Sequence, residues 1–524
     1  MMRMNRRLPH WLWPLWVLLI VAGITGCATN PVTGKSELAL VSEASELQIG
    51  QSQYQPSRQM QGGDYKLDPS LIKYVQGVGQ RLAAVSDRKL PYEFVVLNDS
   101  TPNAWALPGG KIAVNRGLLL ELDNEAELAA VLGHEIVHAA ARHGAQGIER
   151  GIVLQGVLLA AGVATRDSDY SQLAVGAAAV GANLINQGYS RDAELEADLF
   201  GMTYMVRAGY DPMAAVGLQE TFVRLSKDRK ENWLSGLFAS HPPSMERVEK
   251  NRETARRLAK GGDLGRERYQ KQIAALKRVA PGYAAYTEGL AALRDKKPDQ
   301  ALALAKKAIK IEPREALFHG LNGDALVLKR NNPAALSAYD RAVQLDSDFF
   351  RHLLKRGAVK AELGDHVGAR QDLSKSIELL PTADAHYLLG QEALRAGDRQ
   401  QALAHYQAAS GASSGSGQAA AAALVRLDLP AHPHKYLNTS LAVDSSGRLL
   451  IQLENRTTVA VSNLHVQLGE RSASGRVSVR AEYKVPEKLE PGQRIVLRSE
   501  FRLANAGLVS RWAGRVVRAV IDDR

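Results

Sequence analysis

The spacing of apolar residues changes along this chain, and each change marks a different kind of element. In Asp68–Val85, Leu71, Val75, Val78 and Leu82 recur at helical intervals, which predicts a helix with one buried side. Phe94-Val95-Val96-Leu97 is a short β-branched run and reads as a strand. Lys111–Val114 is a second strand, entered through a Pro108-Gly109-Gly110 turn. From Glu125 onward helical spacing dominates. Gly151–Ala164 and Leu173–Ile185 are apolar and rich in Ala and Gly, but each is shorter than the roughly 20 residues a spanning helix needs. They read as buried or groove-lining helices separated by Arg166-Asp167-Ser168-Asp169.

A longer period starts near residue 282. Gly289, Gly323 and Gly357 are 34 residues apart and Gly390 follows after 33; Ala301, Ala335, Ala369 and Ala402 keep the same intervals. Tyr339, Leu373 and Tyr406 sit four residues after the last three alanines, and Pro313 and Pro381 close two of the units. Small residues at fixed places let the helices of a hairpin approach closely, and the bulky ones are expected to fill the groove between hairpins. The pattern resembles four tetratricopeptide repeats, which bury their faces only by stacking. Ser410–Gln418 is rich in Ser and Gly and reads as a flexible loop. Beyond Pro430 the pattern alternates. Leu449–Glu454, Leu464–Leu468, Val477–Tyr483, Arg494–Leu497 and Val516–Ile521 are strand candidates, with turns at Asn455-Arg456, Ser474-Gly475 and Pro491-Gly492. A sandwich-like all-β domain is expected there.

Length and composition agree with this division. At 524 residues the chain needs about two to four cores. The formal charge of +11 could indicate an anionic partner, but no run of five Lys/Arg residues supports nucleic-acid binding, and none is expected. The single cysteine, Cys27, excludes an internal disulfide and a cysteine-based metal site. It follows a positive start (Arg3, Arg6, Arg7), an apolar stretch from Leu12 to Ile24 and the small residues Thr25-Gly26. This is the layout of a secretory signal. Ile24-Thr25-Gly26-Cys27 resembles a bacterial lipobox, which makes Cys27 the expected lipidated residue and a membrane the expected anchor. Ala28, where an Asp would retain a lipoprotein at the inner membrane, implies by the same resemblance the periplasmic side of the outer membrane.

The chemistry is concentrated in His134-Glu135-Ile136-Val137-His138, an H-E-x-x-H sequence. On a helix, His134 and His138 share a face and can reach one ion, while Glu135 is placed to activate a water. A catalytic zinc needs a third protein ligand. His143 lies nine residues after His134, about half a turn away at 100° per residue, so it should face elsewhere unless the helix ends first. Ser190–Asp198 offers a better ligand: Glu194 and Asp198 are again four apart, with Glu194 as the ligand and Asp198 orienting a histidine or the helix pair. Glu196 lies well round the helix and reads as solvated or structural.

H-E-x-x-H followed by E-x-x-A-D resembles the gluzincin-type M48 peptidase family. Asn103–Gly110 is similar to the segment preceding its zinc helix, and Cys27–Gly34 to the start of its lipoprotein members. The resemblance implies one zinc ion per chain, an edge strand over Asn103–Val114 beside which substrate backbone could lie, and a plug around Arg166–Tyr170. It also implies a role for His241, in Ser240-His241-Pro242-Pro243, as removable fourth ligand or oxyanion stabiliser. The expected protein is multidomain and mainly α: signal peptide 1–26, anchored segment 27–60, α+β protease domain 61–260, linker helix 261–282, α-α repeat solenoid 283–428, and β domain 430–524. The expected activity is zinc endopeptidase action on misfolded or stalled envelope proteins. The repeats are expected to meet outer-membrane assembly machinery. The alternative is an envelope chaperone or scaffold acting through its repeats.

Overall fold

The computed structural model describes residues 27–160, 188–228, 240–258, 261–472 and 474–522. The signal segment 1–26 and the plug expected at Arg166–Tyr170 lie outside them. The chain divides into two compact units, Met1–Val359 and Lys360–Arg524.

In the first unit, a short hairpin of β1 (Cys27–Thr29) and β2 (Ser36–Leu38) precedes helix α1 (Glu43–Met60). Helix α2 (Pro69–Ala83) begins where the Asp68 side chain accepts hydrogen bonds from Ser70 and Leu71 and Pro69 takes the first helical position. Its Leu71, Val75, Val78 and Leu82 are fully buried, as their spacing predicts. Strands β3 (Glu93–Leu97), β4 (Ala104–Leu107) and β5 (Lys111–Asn115) form a sheet of order β3-β5-β4. The β3–β5 pair is parallel and the β4–β5 pair antiparallel. The hairpin turn uses Gly109 and Gly110 at φ +79° and +83°, left-handed values that favour glycine. Within the Asn103–Val114 stretch only β4 is therefore an edge strand, β3 being the other edge of the sheet. The stretch expected to be one edge strand is a hairpin whose second arm, β5, is central.

The short helix α3 (Arg116–Leu119) leads to α4 (Glu125–Ala140), which carries the H-E-x-x-H residues. Asn124 caps it by accepting from the Glu127 amide, and the Glu127 carboxylate accepts from the Asn124 side chain and the Asp123 amide. That reciprocal arrangement fixes the helix start. Helix α4 is buried on nearly every side, so its apolar residues show no stripe. Helix α5 (His143–Ala160) follows after Arg142 turns the backbone at φ +64°. Helices α6 (Arg191–Arg207), α7 (Met213–Asp228) and α8 (Met245–Leu258) complete the layer around α4.

Helix α9 (Arg266–Arg294) is continuous through Pro281, so the expected linker and the first repeat helix are one element. The repeats continue as α10 (Pro298–Ile311), α11 (Ala316–Leu328), α12 (Asn332–Leu345) and α13 (Phe350–Glu362). The glycine period has a direct cause. A Cβ at Gly323 would lie 2.6 Å from the Tyr339 ring, and one at Gly289 would lie 2.5 Å from Leu321. Tyr339 thus fills a notch in its own hairpin, α11 with α12, rather than the groove between hairpins.

The second unit contains α14 (His366–Leu379), α15 (Ala383–Arg395), α16 (Arg399–Ala409) and α17 (Gly415–Asp428). Gly390 meets the Tyr406 ring at 2.6 Å, repeating the Gly323–Tyr339 notch. The end of the Ser/Gly tract, Gly415–Gln418, is helical while Ser410–Ser414 is a loop: Ser414 caps α17 by accepting from Gly417, and the alanines that follow sustain the helix. The β region is two antiparallel three-stranded sheets, β10-β7-β6 and β11-β8-β9. They comprise β6 (Leu437–Val443), β7 (Arg448–Asn455), β8 (Val461–Arg471), β9 (Val477–Val485), β10 (Arg494–Arg502) and β11 (Trp512–Ile521). Leu449, Ile451 and Leu453 of β7 and Leu464, Val466 and Leu468 of β8 form the shared core, giving the sandwich-like arrangement. No helix among the described residues is long and apolar enough to cross a membrane.

Candidate metal centre

Two helices cross at glycines and so bring the chemistry together. Gly133 of α4 faces Gly201 of α6: a Cβ on Gly201 would lie 3.0 Å from the His134 amide nitrogen. This close approach sets His134 and His138 of one helix against Glu194 of the other. The loop before α8 adds His241. One ligating atom from each of His134, His138, Glu194 and His241 can be chosen so that all lie within 4.8 Å of one another.

The distances within the cluster are those of a coordination polyhedron. His138 Nε2 lies 3.0 Å from His134 Nε2, and His134 Nε2 lies 3.3 Å from His241 Nδ1. Glu194 Oε1 is 3.4 Å from His138 Nε2 and 2.9 Å from His241 Nδ1. A tetrahedral ion with bonds of about 2.0–2.1 Å has edges of about 3.3 Å, so the donor set fits one. Charge agrees. Glu135, Glu194 and Asp198 are buried carboxylates and Arg247 is the buried guanidinium beside them. With all three carboxyls ionised and the imidazoles neutral, the forms a bound cation favours, this leaves the charge deficit of a divalent cation. Glu135 Oε2 is buried without a hydrogen-bond partner.

His134 and His138 are held from behind. His134 Nδ1 is 3.0 Å from Asp198 Oδ1. Arg247 grips the same carboxylate with two bonds, Nε to Oδ2 at 2.8 Å and Nη2 to Oδ1 at 2.7 Å, while its Nη1 lies 2.8 Å from Glu194 Oε2. The last contact is an ion pair without hydrogen-bond geometry, which leaves Glu194 Oε2 open. The Tyr189 ring stacks on His138 with centroids 3.8 Å apart. His143 does not face away. Helix α4 ends at Ala140 and the left-handed Arg142 redirects the chain, so His143 Nδ1 comes within 2.9 Å of His138 Nδ1. Glu196 is only partly solvated, bonded to Lys35 at 2.6 Å and lying 3.5 Å from His143 Nε2.

The electrostatics suit cation binding. Burial alone raises the Glu194 carboxyl, but the surrounding imidazoles of His241, His138 and His134 outweigh it and hold it well below the usual carboxylate range. Burial drives the His138 imidazole well below its ordinary value. The pair is therefore a carboxylate beside a neutral imidazole, the forms that bind metal. Burial pushes the Glu135 carboxyl up, partly offset by His241 and His134. For Asp198, burial is overcome by Arg247 and His134, and the group stays below its ordinary value.

Sequence reasoning located His134, Glu135, His138, Glu194, Asp198 and His241, and the structure brings all six together. It missed Arg247, Tyr189 and the closeness of His143. Charge counting could have found the first: three carboxylates converging on one buried site require a buried cation besides the metal.

A sequence profile of peptidase family M48 matches residues 69–255, which hold every member of the cluster. A Vibrio cholerae protein named as a beta-barrel assembly-enhancing protease is 34% identical over 196 residues, 36% of this chain and 40% of that protein. The chain thus spans less than half the length of this relative. Metalloprotease YcaL of Escherichia coli (strain K12) is 33% identical over 193 residues, 35% of this chain and 71% of YcaL. Among solved structures, the crystal structure of the MamA protein is 22% identical, with a TM-score of 0.24, and covers 28% of this chain and 80% of that one. Because the profile encloses the whole histidine–carboxylate cluster and YcaL aligns over most of its own length, the chain belongs to peptidase family M48.

Proposed function

We propose that this protein is a zinc-dependent endopeptidase of the cell envelope that removes misfolded or stalled envelope proteins. The observation that carries the reading is the convergence of His134, His138, Glu194 and His241 beside a buried carboxylate, Glu135, with an unpartnered oxygen. His134, His138 and Glu194 are the protein ligands of one zinc ion, which when bound supplies Lewis acidity toward water and a peptide carbonyl. Glu135 takes the proton of the attacking water and passes it to the leaving amine. Its burial suits this, since a carboxyl raised above the usual range exchanges protons nearer neutral pH. Asp198 holds His134 in the tautomer that presents Nε2 inward, and Arg247 holds Asp198. Among the described residues β4 pairs with a strand on one side only, which supports main-chain pairing with an extended substrate there.

His241 sits among the ligands, 2.9 Å from Glu194, rather than above them. That position favours a fourth ligand over an oxyanion stabiliser, and it supports a second reading: a protein latent as a protease, acting meanwhile as a chaperone or scaffold through its repeats. Lipidation at Cys27 on the periplasmic side of the outer membrane is part of the proposal. So is an encounter of the repeats with the outer-membrane assembly machinery. They are supported by the signal-like sequence before Cys27 and by a relative named for barrel assembly.

The test is zinc content and casein cleavage for wild type, Glu135→Gln and Glu194→Ala. One zinc with cleavage in wild type, metal without cleavage in Glu135→Gln, and lost metal in Glu194→Ala are expected. Zinc-loaded wild type that stays inert, and gains cleavage when His241 is replaced by Ala, favours the latent reading. A wild type that binds no zinc overturns both.

A further inference from the structure

Behind His138 runs a chain of polar groups that the peptidase chemistry leaves unused. His138 Nδ1 and His143 Nδ1 are 2.9 Å apart. His143 Nε2 is 3.5 Å from Glu196 Oε2, and Glu196 Oε1 accepts a hydrogen bond from Lys35 Nζ at 2.6 Å. His143 is buried, and it comes from a different helix than the two residues it joins. We infer that His143 and Glu196 are positioning residues for the metal centre, fixing the tautomer and ring plane of His138 through a histidine-to-histidine-to-carboxylate relay.

The proton assignments follow one from another. His138 Nε2 faces the ligand cluster, 3.0 Å from His134 Nε2, and must be bare to bind a cation. Its proton therefore sits on Nδ1 and is donated to His143 Nδ1. His143 then carries its own proton on Nε2, which lies 3.5 Å from the Glu196 carboxylate, an electrostatic contact without hydrogen-bond geometry. The other ligand histidine is held more simply, with Asp198 directly on His134 Nδ1. The two arms are thus unequal: the His138 arm has an imidazole inserted between ligand and carboxylate. Its outer end is tied to the segment after Cys27, where Lys35 meets Glu196 and the Asn30 side chain donates to the Ala141 carbonyl at the end of α4.

The inference rests on the zinc reading, so its test measures metal binding and not turnover. The full chain is stripped of metal, and its zinc dissociation constant is measured by competition with a chromophoric chelator. Melting of the metal-free protein is recorded in parallel. His143→Phe and Glu196→Ala are expected to weaken zinc binding by roughly 10–100-fold while leaving metal-free melting unchanged. His143→Gln should recover most of the loss, because its amide oxygen can still accept from His138 Nδ1. Should His143→Phe fail to fold, Glu196→Ala at its partly exposed site carries the test alone. Unchanged zinc affinity in Glu196→Ala, or metal-free melting that falls in step with affinity, overturns the relay and leaves the pair as struts between helices. A wild type without zinc affinity removes its basis, which is a different result from a wild type that binds zinc no better than the variants.

Discussion

Replacing Gly201 by alanine should damage the metal centre far more than it damages the fold. The added Cβ would lie 3.0 Å from the His134 nitrogen, 3.2 Å from the Gly133 carbonyl carbon and 3.3 Å from the His134 Cα. All three are backbone atoms, so no rotamer change relieves the contact. Ordinary carbon contacts are about 3.5–4.0 Å, so α4 and α6 must part by roughly 0.4 Å. Two opposing terms set the stability cost. Alanine in a helix interior gains up to about 1 kcal/mol over glycine, and overpacking a tight crossing costs about 1–3 kcal/mol. The net is a loss of about 0–3 kcal/mol. The same 0.4 Å has no compensation at the site, because His134 and His138 ride on one helix and Glu194 on the other. Metal–ligand distances tolerate about 0.2 Å. Zinc affinity and kcat/KM are therefore expected to fall by about tenfold or more, approaching the ~100-fold that a 1 Å misplacement can cost. The assay pairs kcat/KM on a fluorogenic casein and zinc titration with urea unfolding. Gly77→Ala is the control: it lies within α2 with open space around it and should be neutral or stabilising. If Gly201→Ala binds zinc and cleaves within twofold of wild type, the argument that this crossing positions the ligands is wrong.

Further outcomes follow from the same contacts. Arg247→Met strips the buried counter-charge from Asp198 and Glu194 and should cost about 3–5 kcal/mol in urea unfolding, whereas Arg247→Lys keeps the charge but loses the two-pronged grip and should fall between. Burial raises the Glu125 carboxyl, but bonds from Arg268, Tyr74 and Tyr210 outweigh it and hold the group below its ordinary value. A carboxyl lowered in the folded state contributes stability that is complete above the unfolded value near about 4.3 and is lost as pH falls below it. Stability measured from pH 7 to pH 3 should therefore drop less steeply in Glu125→Gln than in wild type. In the repeats, Gly323→Val pushes into the Tyr339 ring and should destabilise by about 1–3 kcal/mol in thermal unfolding, with the companion Tyr339→Ala relieving part of it in a double-mutant cycle.

What could be read in the sequence was whatever depends on neighbours within a few turns. Leu71, Val75, Val78 and Leu82 lie on one buried face because the helix period alone decides it. The same period put His134 with His138 and Glu194 with Asp198, and the two pairs do face one another. The 34-residue glycine period was legible for a similar reason, since each notch at Gly323 or Gly390 is matched by a tyrosine 16 residues on, within one hairpin. Strand β6 escaped notice because its half-exposed residues, Leu437 to Val443, lack a clean alternation. The helix in the Ser/Gly tract escaped because a Ser-rich stretch serves as well for a cap as for a loop.

The more consequential misses came from distance along the chain, and His143 shows how. Its placement by helical arithmetic was sound for an unbroken helix, and a single backbone angle, the φ of +64° at Arg142, reversed it. That angle is sustained by tertiary contacts. The Arg142 guanidinium is bonded to Glu46 and to the Val41 carbonyl, about a hundred residues earlier in the chain. A left-handed conformation at a residue with a side chain costs roughly 1–3 kcal/mol, and those buried bonds are what offset it. Where α4 ends is thus decided by the N-terminal segment that packs against it. The same segment supplies Lys35 at the outer end of the His138 relay. The helix period thus makes the candidate ligands His134, His138 and Glu194 legible, while His241, in the loop before α8, was reached only through the family resemblance. The groups packed behind those candidates, Arg247 against Asp198 and His143 against His138, become visible only once segments distant in sequence are packed together.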